Sequence, residues 1–585
     1  MPLFFDRAYG FAIPATPIDP LRGEKVLTAL TMRRILEPGA VREGPPASLR
    51  QLLRVHDAAY LESLGSSDGL VKAFGELLTE TQRERALATQ RAMTGGTIAA
   101  AEDALAHGGV AVNVGGGFHH AHRAQGRGFC LFNDVAVAIA ELREAGFASR
   151  VLVVDLDLHD GDGTRRIFAE DPLVYTFSLH NRHWDAPEAL AATALELGPG
   201  IGDGPFLELL GETLPPVFDA HRPALVFYVA GCDPAADDAL GDWRLSATAM
   251  LARDRLVTAL ARPAGRELPL VVVLGGGYGF GAWRYTYRYL AWLLGAGDPP
   301  PEPPSDDDVV VARYAALARL LDPAALTGAA ATEDSWGLTP EDLMGALAVG
   351  PADALFLGYY TPHGLELALE QAGVLDRLRD LGYEQPTVEL DLTPARHTLR
   401  VFGDRQHRQL LIEVRLRRDR HTLPGFELLA VDWMLLQHPR GRFTAERPAL
   451  PGQRHPGLGM LKDAIALLVQ VCARLGLDGI TFTPSHYHLV QQSTRHLRML
   501  DPADAALFEA LQEALAGVPL REAARLVEEE GVVDERTGQP FRWRGMPMLL
   551  ALSEGLRQRW ETERWGERRL AERTRLRLRV RDRRS

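Results

Sequence analysis

The chain has 585 residues, of which 46% are hydrophobic and 24% are charged, and its net charge is -13 at pH 7. These proportions are typical of folded globular proteins, and the length is sufficient for at least two domains. The negative charge excludes a global cationic field of the kind that attracts nucleic acid or an anionic membrane.

The three cysteines, Cys130, Cys232 and Cys472, form no CxxC pair. This spacing argues against disulfides and cysteine zinc clusters, and it favours a reducing compartment. The amino-terminal segment MPLFFDRAYGFAIPATP lacks the basic stretch and apolar core of a secretory signal, and no apolar run reaches the ~18 residues that a membrane span needs. We therefore expect a cytoplasmic location, no membrane partner and no nucleic-acid partner.

The clearest boundary in the sequence is the segment GDPPPEPPSDDD at residues 297 to 308, where prolines and acids interrupt the packing periodicity. Such a composition favours an extended, solvated linker. We therefore predict a first domain over residues 1–297, a linker over 298–308 and a second domain over 309–585 that ends in a basic tail.

Upstream of the linker, apolar strand-like runs alternate with helical segments. The runs are GGVAVNVGGG, RVLVVDLDLH, LVYTFSLH, PALVFYVAGCD and LPLVVVLGGGY. Continuous apolar runs indicate strands buried on both faces, so the pattern predicts an α/β domain with a parallel sheet between two layers of helices. A polar cluster follows each strand of interest, and we expect these clusters to converge at the carboxyl edge of the sheet.

Downstream of the linker, residues 309 to 346 have a helical pattern, and then the architecture changes. The segment LLIEVRLRR alternates Ile412, Val414 and Leu416 with charged residues, which is the period-2 signature of a half-solvated antiparallel strand. An apolar helix is predicted over residues 460 to 475 and a strand at GITFTP. These elements predict an α+β domain.

The segment VLVVDLDLHDGDGT, residues 151 to 164, crowds acids behind a buried strand. Unpaired buried carboxylates cost several kcal/mol each, so a cation is expected among them. Asp157, His159 and Asp233, the last from another strand end, would form a site of two oxygens and one nitrogen with a position left for water and substrate. We predict zinc, with ferrous iron as the alternative.

Two other interpretations of this cluster are helix capping and a binuclear metal site. A single aspartate after a strand is more often a helix N-cap, but three such strand ends together favour a metal. A binuclear site would need further carboxylate ligands. The positions two residues beyond His159 and Asp233 are Gly161 and Ala235, which have no side-chain oxygen to offer. We therefore predict one ion.

Candidate proton-transfer groups come from other strand ends. His119 and His120 follow a glycine turn, and imidazoles titrate near neutrality, so such a pair can take a proton from water and return one to a leaving amine. Asp155 and Asp162 are available to orient the two rings. Tyr278 in LGGGYGF can donate a hydrogen bond to an oxyanion, although a flexible turn with a packed tyrosine is the commoner role of such a motif.

Together these segments resemble the histone deacetylase family, which includes bacterial acetoin-utilisation proteins and acetylpolyamine hydrolases, over about residues 1–297. The resemblance rests on GGGFHHA, GRGFCLFND, DLDLHDGDGT, TFSLH, AGCDPAADDALG and LGGGY, in the family's order. Six ordered motifs are far more specific than any one of them. GGGFHHA and DPAADDALG are nearest to the class IV-like branch. The resemblance implies the arginase-deacetylase fold and a metal-dependent amidohydrolase.

The resemblance also implies roles for individual residues. It gives Asp157, His159 and Asp233 as metal ligands and His120 as general base and then general acid. The remaining implied roles are His119 for electrostatic support, Asp155 and Asp162 to orient His119 and His120, Tyr278 to polarise the carbonyl, Gly128 and Phe129 as a wall of the substrate channel, and Asp155, Asp157, His159, Ser178 and Leu179 as a K+ site.

Three further positions bear on the resemblance. Asp160 stands where many members have a second histidine, and its charge lies beside the predicted metal site. Trp184 is a candidate for the opposite channel wall, and Asp68 is a candidate for the rim acid that grips the substrate backbone in many members.

The second domain carries a separate motif. PGQRHPGLGMLKDAIALLVQVC places Arg454, Gly457 and Gly459 before the predicted apolar helix, and backbone NH groups at a helix amino terminus can bind a pyrophosphate. With its flanking strands, this segment resembles the coenzyme A arm of a GNAT-type acetyltransferase, which implies a GNAT-like domain that binds acetyl-CoA. The alternative is a glycine-containing helix entry without a ligand.

The leading hypothesis is an enzyme that removes acetyl or other short acyl groups from lysine side chains of proteins or from lysine-like amines. One alternative is an acetylpolyamine or other small-molecule deacylase that uses the same centre. The other is a deacetylase fused to an acyl-CoA-binding or docking domain.

Overall fold

The computed structural model describes residues 1–10, 18–37, 39–186, 188–263, 267–328, 355–444, 448–493, 497–560 and 563–581. The chain forms two compact units. The first unit comprises Met1–Arg313 together with Arg379–Gly382, and the second comprises Tyr314–Leu378 together with Tyr383–Ser585.

The first unit is built on an eight-stranded parallel sheet with the strand order β2-β1-β3-β8-β7-β4-β5-β6. The strands are β1 (Leu3–Phe4), β2 (Val41–Arg42), β3 (Val110–Asn113), β4 (Val151–Asp155), β5 (Val174–His180), β6 (Ala192–Glu196), β7 (Leu225–Val229) and β8 (Leu270–Val273).

Helices connect these strands and cover the sheet. They are α1 (Arg22–Met32), α2 (Leu49–Leu52), α3 (Ala58–Ser63), α4 (Val71–Phe74), α5 (Glu80–His107), α6 (Asp134–Glu144), α7 (Asp162–Ile167), α8 (Asp203–His221), α9 (Ala247–Ala261) and α10 (Trp283–Leu293), with two short 3-10 helices at Arg7–Tyr9 and Ser67–Leu70.

Alternate residues of the strands pack into two separate hydrophobic cores. In β4, Leu152 and Val154 belong to one core, whereas Val151 and Val153 belong to the other. Both faces of the strand are therefore buried, which explains its continuous apolar sequence. The predicted α/β domain with a parallel sheet is confirmed.

Four central strands carry the polar clusters. β3, β8, β7 and β4 are neighbours in that order, and all run in the same direction. Their carboxyl ends therefore lie at one edge of the sheet. The loops that leave this edge begin at residues 114, 274, 230 and 156, so they bring together the segments that the sequence singles out.

The second unit contains a seven-stranded mixed sheet with the order β14-β16-β13-β12-β11-β10-β9. The strands are β9 (Thr387–Thr393), β10 (Arg396–Phe402), β11 (Leu410–Asp419), β12 (Leu428–Leu436), β13 (Gly479–Phe482), β14 (Arg498–Met499) and β16 (Met548–Ala551). β12 and β13 pair in parallel, and the other described neighbours are antiparallel. β15 (Val532–Asp534) and β17 (Leu578–Val580) pair separately.

The helices after α10 are α11 (Asp306–Leu320), α12 (Pro323–Thr327), Pro362–Gln371, Val374–Asp380, Leu461–Leu475, Tyr487–Ser493, Pro502–Ala514, Leu520–Glu528, Glu554–Trp560 and Glu563–Arg575. The predicted α+β architecture is confirmed, and part of the helical region expected at 309–346 lies outside the described residues.

One detail of the linker region differs from the expectation. Its last acids, Asp306 to Asp308, form the first turn of α11 instead of extended chain, because carboxylates stabilise the amino terminus of a helix. Among the helices that the structure describes, none combines the length and the apolar character needed to cross a membrane.

Candidate active site

The three predicted metal ligands meet at the carboxyl edge of the first unit's sheet. Asp157 and His159 follow β4, and Asp233 follows the adjacent strand β7. His159 Nδ1 lies 2.8 Å from Asp233 Oδ2 and 3.2 Å from Asp157 Oδ1. One potential ligand atom from each residue lies within 4.8 Å of the other two. Two carboxylates and one imidazole are the donor set of a catalytic zinc site with an open position.

The electrostatics of the three residues fit a cation. Both carboxylates are fully buried. Burial and the charge of Asp157 raise the pKa of Asp233 to about 7. Although burial opposes it, hydrogen bonds to Asp157 and Asp233 raise the pKa of His159 to about 11. Positive charge is therefore strongly favoured among these atoms, and a divalent ion would supply it in place of protons.

Backbone amides orient the two carboxylates. The Leu158 N–H donates to Asp233 Oδ1 at 2.9 Å, and the Gly276 N–H donates to Asp157 Oδ2 at 2.6 Å. The latter amide belongs to the loop after β8, so a third strand end fixes the cluster.

Each histidine of the adjacent pair contacts its own aspartate. His119 Nδ1 lies 2.8 Å from Asp155 Oδ2, and His120 Nδ1 lies 2.6 Å from Asp162 Oδ1. The two ring centroids are 4.1 Å apart. His119 Nε2 lies 3.8 Å from Asp157 Oδ1, so this ring reaches from its aspartate to the ligand cluster.

The surroundings of the two imidazoles shift their pKa values in opposite directions. Burial acts to lower the pKa of His119, but the charges of Asp155 and Asp157 outweigh it and raise this pKa to about 10. Burial and the charge of His119 lower the pKa of His120 to about 4. His119 therefore holds a proton more tightly than His120, which is the difference that a base with an electrostatic helper requires.

Tyr278 reaches the same centre from the loop after β8. Its ring is perpendicular to the ring of His159, with the centroids 6.2 Å apart. Burial and the charge of Asp233 raise the pKa of Tyr278 well above the usual value. The phenol therefore keeps its proton and can donate a hydrogen bond. The Tyr278 N–H donates to Asp238 Oδ2 at 2.6 Å, which anchors the loop.

Gly128 and Phe129 lie beside this centre and line the same cavity, of about 150 Å³, as His119, His120 and Tyr278. The Phe129 ring meets the Tyr278 ring at 6.2 Å. Both Gly128 and Phe129 have positive φ, 53° and 65°, a conformation that is strained for phenylalanine. Gln90 donates to the Phe129 carbonyl oxygen at 2.6 Å and helps to hold that conformation.

Three further predictions for the first unit concern the K+ site, the opposite channel wall and the rim acid. β4 and β5 pair in register, so Asp155 lies opposite Ser178, and the K+ site implied there stays a prediction. Trp184 stacks on His120, next to the predicted centre. Asp68 is exposed in the 3-10 helix Ser67–Leu70, and its role at the rim stays a prediction.

A second cluster of potential ligands, Asp160, His180 and His183, lies nearby. Arg165 donates to both oxygens of Asp160, at 2.5 and 2.8 Å. This guanidinium already neutralises the carboxylate, so the cluster is satisfied without a metal.

Several residues that support the site had no separate role in the sequence interpretation. Arg22 of α1 donates to the carbonyl oxygens of Gly275 and Gly276 at 2.8 and 2.9 Å. Asp134 accepts the N–H groups of Gly117 and Phe118, at 3.0 and 2.7 Å, in the turn before the histidine pair. Asp134 lies inside the quoted motif GRGFCLFND, whereas nothing local distinguishes Arg22.

The predicted cofactor residues Arg454, Gly457 and Gly459 lie in the second unit, in the loop before the helix Leu461–Leu475. Gly459 has a positive φ of 71°, and its carbonyl oxygen accepts a hydrogen bond from Arg377 at 3.2 Å. Binding of acetyl-CoA by this loop stays a prediction.

The chain is similar to known proteins over about half of its length. A family model described as the histone deacetylase domain matches residues 16–294. An uncharacterized protein of Picosynechococcus is 36% identical over 299 residues, which cover 49% of this chain and 95% of that protein. Histone deacetylase 2 of Arabidopsis thaliana is 33% identical over 276 residues, which cover 45% of this chain and 69% of that protein.

A more distant relative is the acetoin utilization protein AcuC of Staphylococcus aureus, which is 26% identical over 297 residues, or 47% of this chain and 75% of that protein. The residues that the family model matches all lie in the first unit. The resemblance in the six motifs is thereby confirmed. The chain belongs to the histone deacetylase family of hydrolases, and its first unit has the arginase-deacetylase fold of that family.

Proposed function

We propose that the first unit is a zinc-dependent amidohydrolase that removes acetyl or short acyl groups from lysine side chains. The observation that carries the proposal is the convergence of Asp157, His159 and Asp233 beside two histidines, each of which contacts a buried aspartate. Zinc bound there would supply Lewis-acid polarisation of the carbonyl and acidify a water. Ferrous iron fits the same donor set as the alternative.

The chain's own residues then divide the work. His120, kept as a free base by burial, takes a proton from the attacking water through Nε2 while Nδ1 stays on Asp162. The protonated Tyr278 donates a hydrogen bond to the carbonyl oxygen as negative charge develops on it. When the C–N bond breaks, the electron pair goes to the amine nitrogen, and His120 returns the proton to that nitrogen. His119 stays protonated beside Asp155 and Asp157 and stabilises the negative charge.

The proposal is tested with the purified full chain on acetyl-lysine peptides, with zinc added and with zinc removed by a chelator. We expect turnover that zinc restores after chelation and that His120→Ala reduces by about 10²- to 10⁴-fold, the usual contribution of a general acid-base group. The control is His363→Ala, which changes a histidine in the helix Pro362–Gln371 of the second unit. Turnover by His120→Ala equal to that of the native protein would refute the assignment.

The same assay, extended to N-acetylspermidine, decides between protein lysines and small amines as the substrate class. Acetylpolyamines carry free amines in the chain that bears the acetyl group, whereas an acetyl-lysine side chain has none, and both classes present an alkylamine leaving group to His120. A kcat/KM for N-acetylspermidine far above that for the peptides would reassign the enzyme to small-molecule deacylation. Both results require the same catalytic residues.

For the second unit there are two alternative roles, namely binding of acetyl-CoA and docking of a partner. The following observations favour acetyl-CoA binding. It is supported by the parallel pair β12 and β13, which the helix Leu461–Leu475 connects, and by the glycines that precede this helix. Calorimetric titration of the full chain with acetyl-CoA tests it, with Gly457→Asp as the variant that puts a negative charge against a pyrophosphate. Equal heats for both proteins would exclude this loop as the binding site.

A further inference from the structure

Trp184, in the loop after β5, packs directly on the predicted general base. Its indole stacks on the His120 imidazole with a centroid separation of 4.0 Å and an angle of 5° between the planes. The same indole meets the His159 ring edge-on, with centroids 5.5 Å apart. One side chain therefore contacts both the imidazole that would transfer the proton and a predicted metal ligand.

Asp160 holds the backbone of this tryptophan in place. Its Oδ2 accepts the Trp184 N–H at 3.0 Å, while Arg165 donates to both of its oxygens at 2.5 and 2.8 Å. The side chains of Asp160 and Arg165 are 0% and 3% exposed. A buried two-point pair between a guanidinium and a carboxylate has a fixed geometry, so the position of the Trp184 amide is fixed as well.

A histidine at position 160 could not form this arrangement. A neutral imidazole has one acceptor nitrogen, whereas the carboxylate of Asp160 accepts from Arg165 with two oxygens and from Trp184 as well. The aspartate at this position therefore allows the pair with Arg165 and the hydrogen bond from the Trp184 N–H to form together.

The backbone carbonyl group of Trp184 is held by a second contact. Arg127 donates from Nη1 to the Trp184 carbonyl oxygen and to Asp162 Oδ2, each at 3.2 Å, and its guanidinium lies 4.8 Å from the indole. Asp162 is the carboxylate that orients His120. The stacked ring and the carboxylate are therefore held by one network.

The two contacts of His120 constrain different motions. The hydrogen bond to Asp162 fixes the edge of the ring, and the parallel indole prevents the ring from tilting out of its plane. Space around the ring is small, because a Cβ added to Gly128 would lie 2.4 Å from His120 Cδ2 and 3.1 Å from Trp184 Cζ3. A misplacement of about 1 Å in a reacting group can cost 10²-fold in rate.

We propose that Trp184, held by the Asp160–Arg165 pair, is a positioning residue that aims His120 at the leaving amine. The inference rests on the proposed function. An alkylamine leaves only as it gains the proton that His120 carries, so the aim of Nε2 matters most in that step. An aryl acetate needs His120 for the attack of water, but its phenolate leaves without a proton.

The test compares these two leaving groups in the full chain. Trp184→Ala should lower kcat on an acetyl-lysine peptide by about 10- to 100-fold, part of the usual contribution of general acid-base catalysis, with KM unchanged. The loss on 4-nitrophenyl acetate should be several-fold smaller. Trp184→Phe keeps a stacked ring and should recover most of the peptide activity, and Trp433→Ala, at an exposed position of β12, should change nothing.

The role of the pair is tested by Asp160→Leu combined with Arg165→Met, which leaves no unpaired buried charge and should keep the melting temperature close to that of the native protein. This double variant should reproduce the leaving-group pattern of Trp184→Ala with the same zinc content as the native protein. If Trp184→Ala does not fold, Trp184→Leu gives the same comparison and retains more of the side-chain volume than alanine does.

Equal losses on both substrates, or no loss on either, would overturn the positioning role. If the His120→Ala variant turned over the peptide as fast as the native protein does, the proposed function itself would be overturned. The two failures are thereby distinguished by the His120 variant.

Discussion

The Asp162 carboxylate lies 2.6 Å from His120 Nδ1 through one oxygen and 2.9 Å from His122 Nε2 through the other. Burial acts to raise the pKa of Asp162, but the hydrogen bonds to these two histidines outweigh it and hold the pKa well below its usual range. Asp162 is therefore a fixed anion that selects the tautomer of His120, with Nδ1 protonated and Nε2 free to act as a base.

Asp162→Asn should remove this control. The amide is neutral and can present an N–H to Nδ1, which would favour the wrong tautomer, so we expect kcat on an acetyl-lysine peptide to fall by about 10²- to 10⁴-fold. The measurement is steady-state kinetics at saturating zinc. Asp219→Asn, at an exposed position of α8, serves as the control, and a variant at position 162 with native kcat would contradict the tautomer role.

Gly276→Ala should damage the predicted metal site sterically. An added Cβ would lie 2.5 Å from Asp233 Oδ2 and 2.7 Å from Asp157 Oδ2. We expect zinc affinity to fall by about 10- to 100-fold, the usual cost of disturbing groups that orient metal ligands. Competition with a fluorescent chelator measures this change.

Gly211→Ala is the matched control for Gly276→Ala. A Cβ at Gly211 in α8 would meet nothing within 4 Å, and alanine in a helix interior should raise the free energy of unfolding by about 0.5–1 kcal/mol. Zinc affinity should not change. Equal zinc affinity in both variants would contradict the proposed ligand set.

Asp134→Ala should destabilise the turn that precedes the histidine pair. The Asp134 carboxylate is fully buried and accepts the N–H groups of Gly117 and Phe118 and the hydroxyl of Thr97. With these donors left unpaired, the free energy of unfolding should fall by about 2–5 kcal/mol. Denaturant unfolding measures it, and Asp134→Asn, which retains one acceptor, should lose less than Asp134→Ala.

His56 should make stability depend on pH. It is buried, its Nδ1 lies 2.9 Å from the His122 carbonyl oxygen, and its Nε2 accepts the Asn133 N–H at 3.0 Å. Burial lowers the pKa of His56 from 6.5 to about 4. Between these values the unfolded chain binds a proton that the folded chain does not, so the free energy of unfolding should fall by up to about 1.4 kcal/mol per pH unit as pH decreases.

The measurement is urea unfolding of the native protein and of His56→Gln between neutrality and about pH 5. The variant should be less stable near neutrality, because it loses the two fixed contacts, and the gap between the two proteins should narrow as pH falls. A gap that stays constant over this range would show that His56 does not contribute through its pKa.

The amino-acid sequence by itself determined the candidate catalytic residues of the first unit and their convergence. Asp157 and His159 lie 74 or more positions from Asp233, yet each follows an apolar run that reads as a buried strand. Parallel strands bring their carboxyl ends to one edge, so local patterns were sufficient to predict where these residues meet. The α+β character of the second unit was also local, since alternation in β11 marks an antiparallel strand.

Only the tertiary structure decided the contacts that hold the site in its geometry. Arg22 of α1 reaches carbonyl oxygens more than 250 positions away. Trp184 stacks on His120, and its N–H donates to Asp160, which pairs with Arg165. Such contacts depend on the packing of helices and loops on the finished sheet, and a single arginine or tryptophan has no periodicity that predicts its partner. The apolar strands and the polar residues that follow them therefore predict the candidate ligands, whereas contacts from the surrounding loops fix the geometry of these residues.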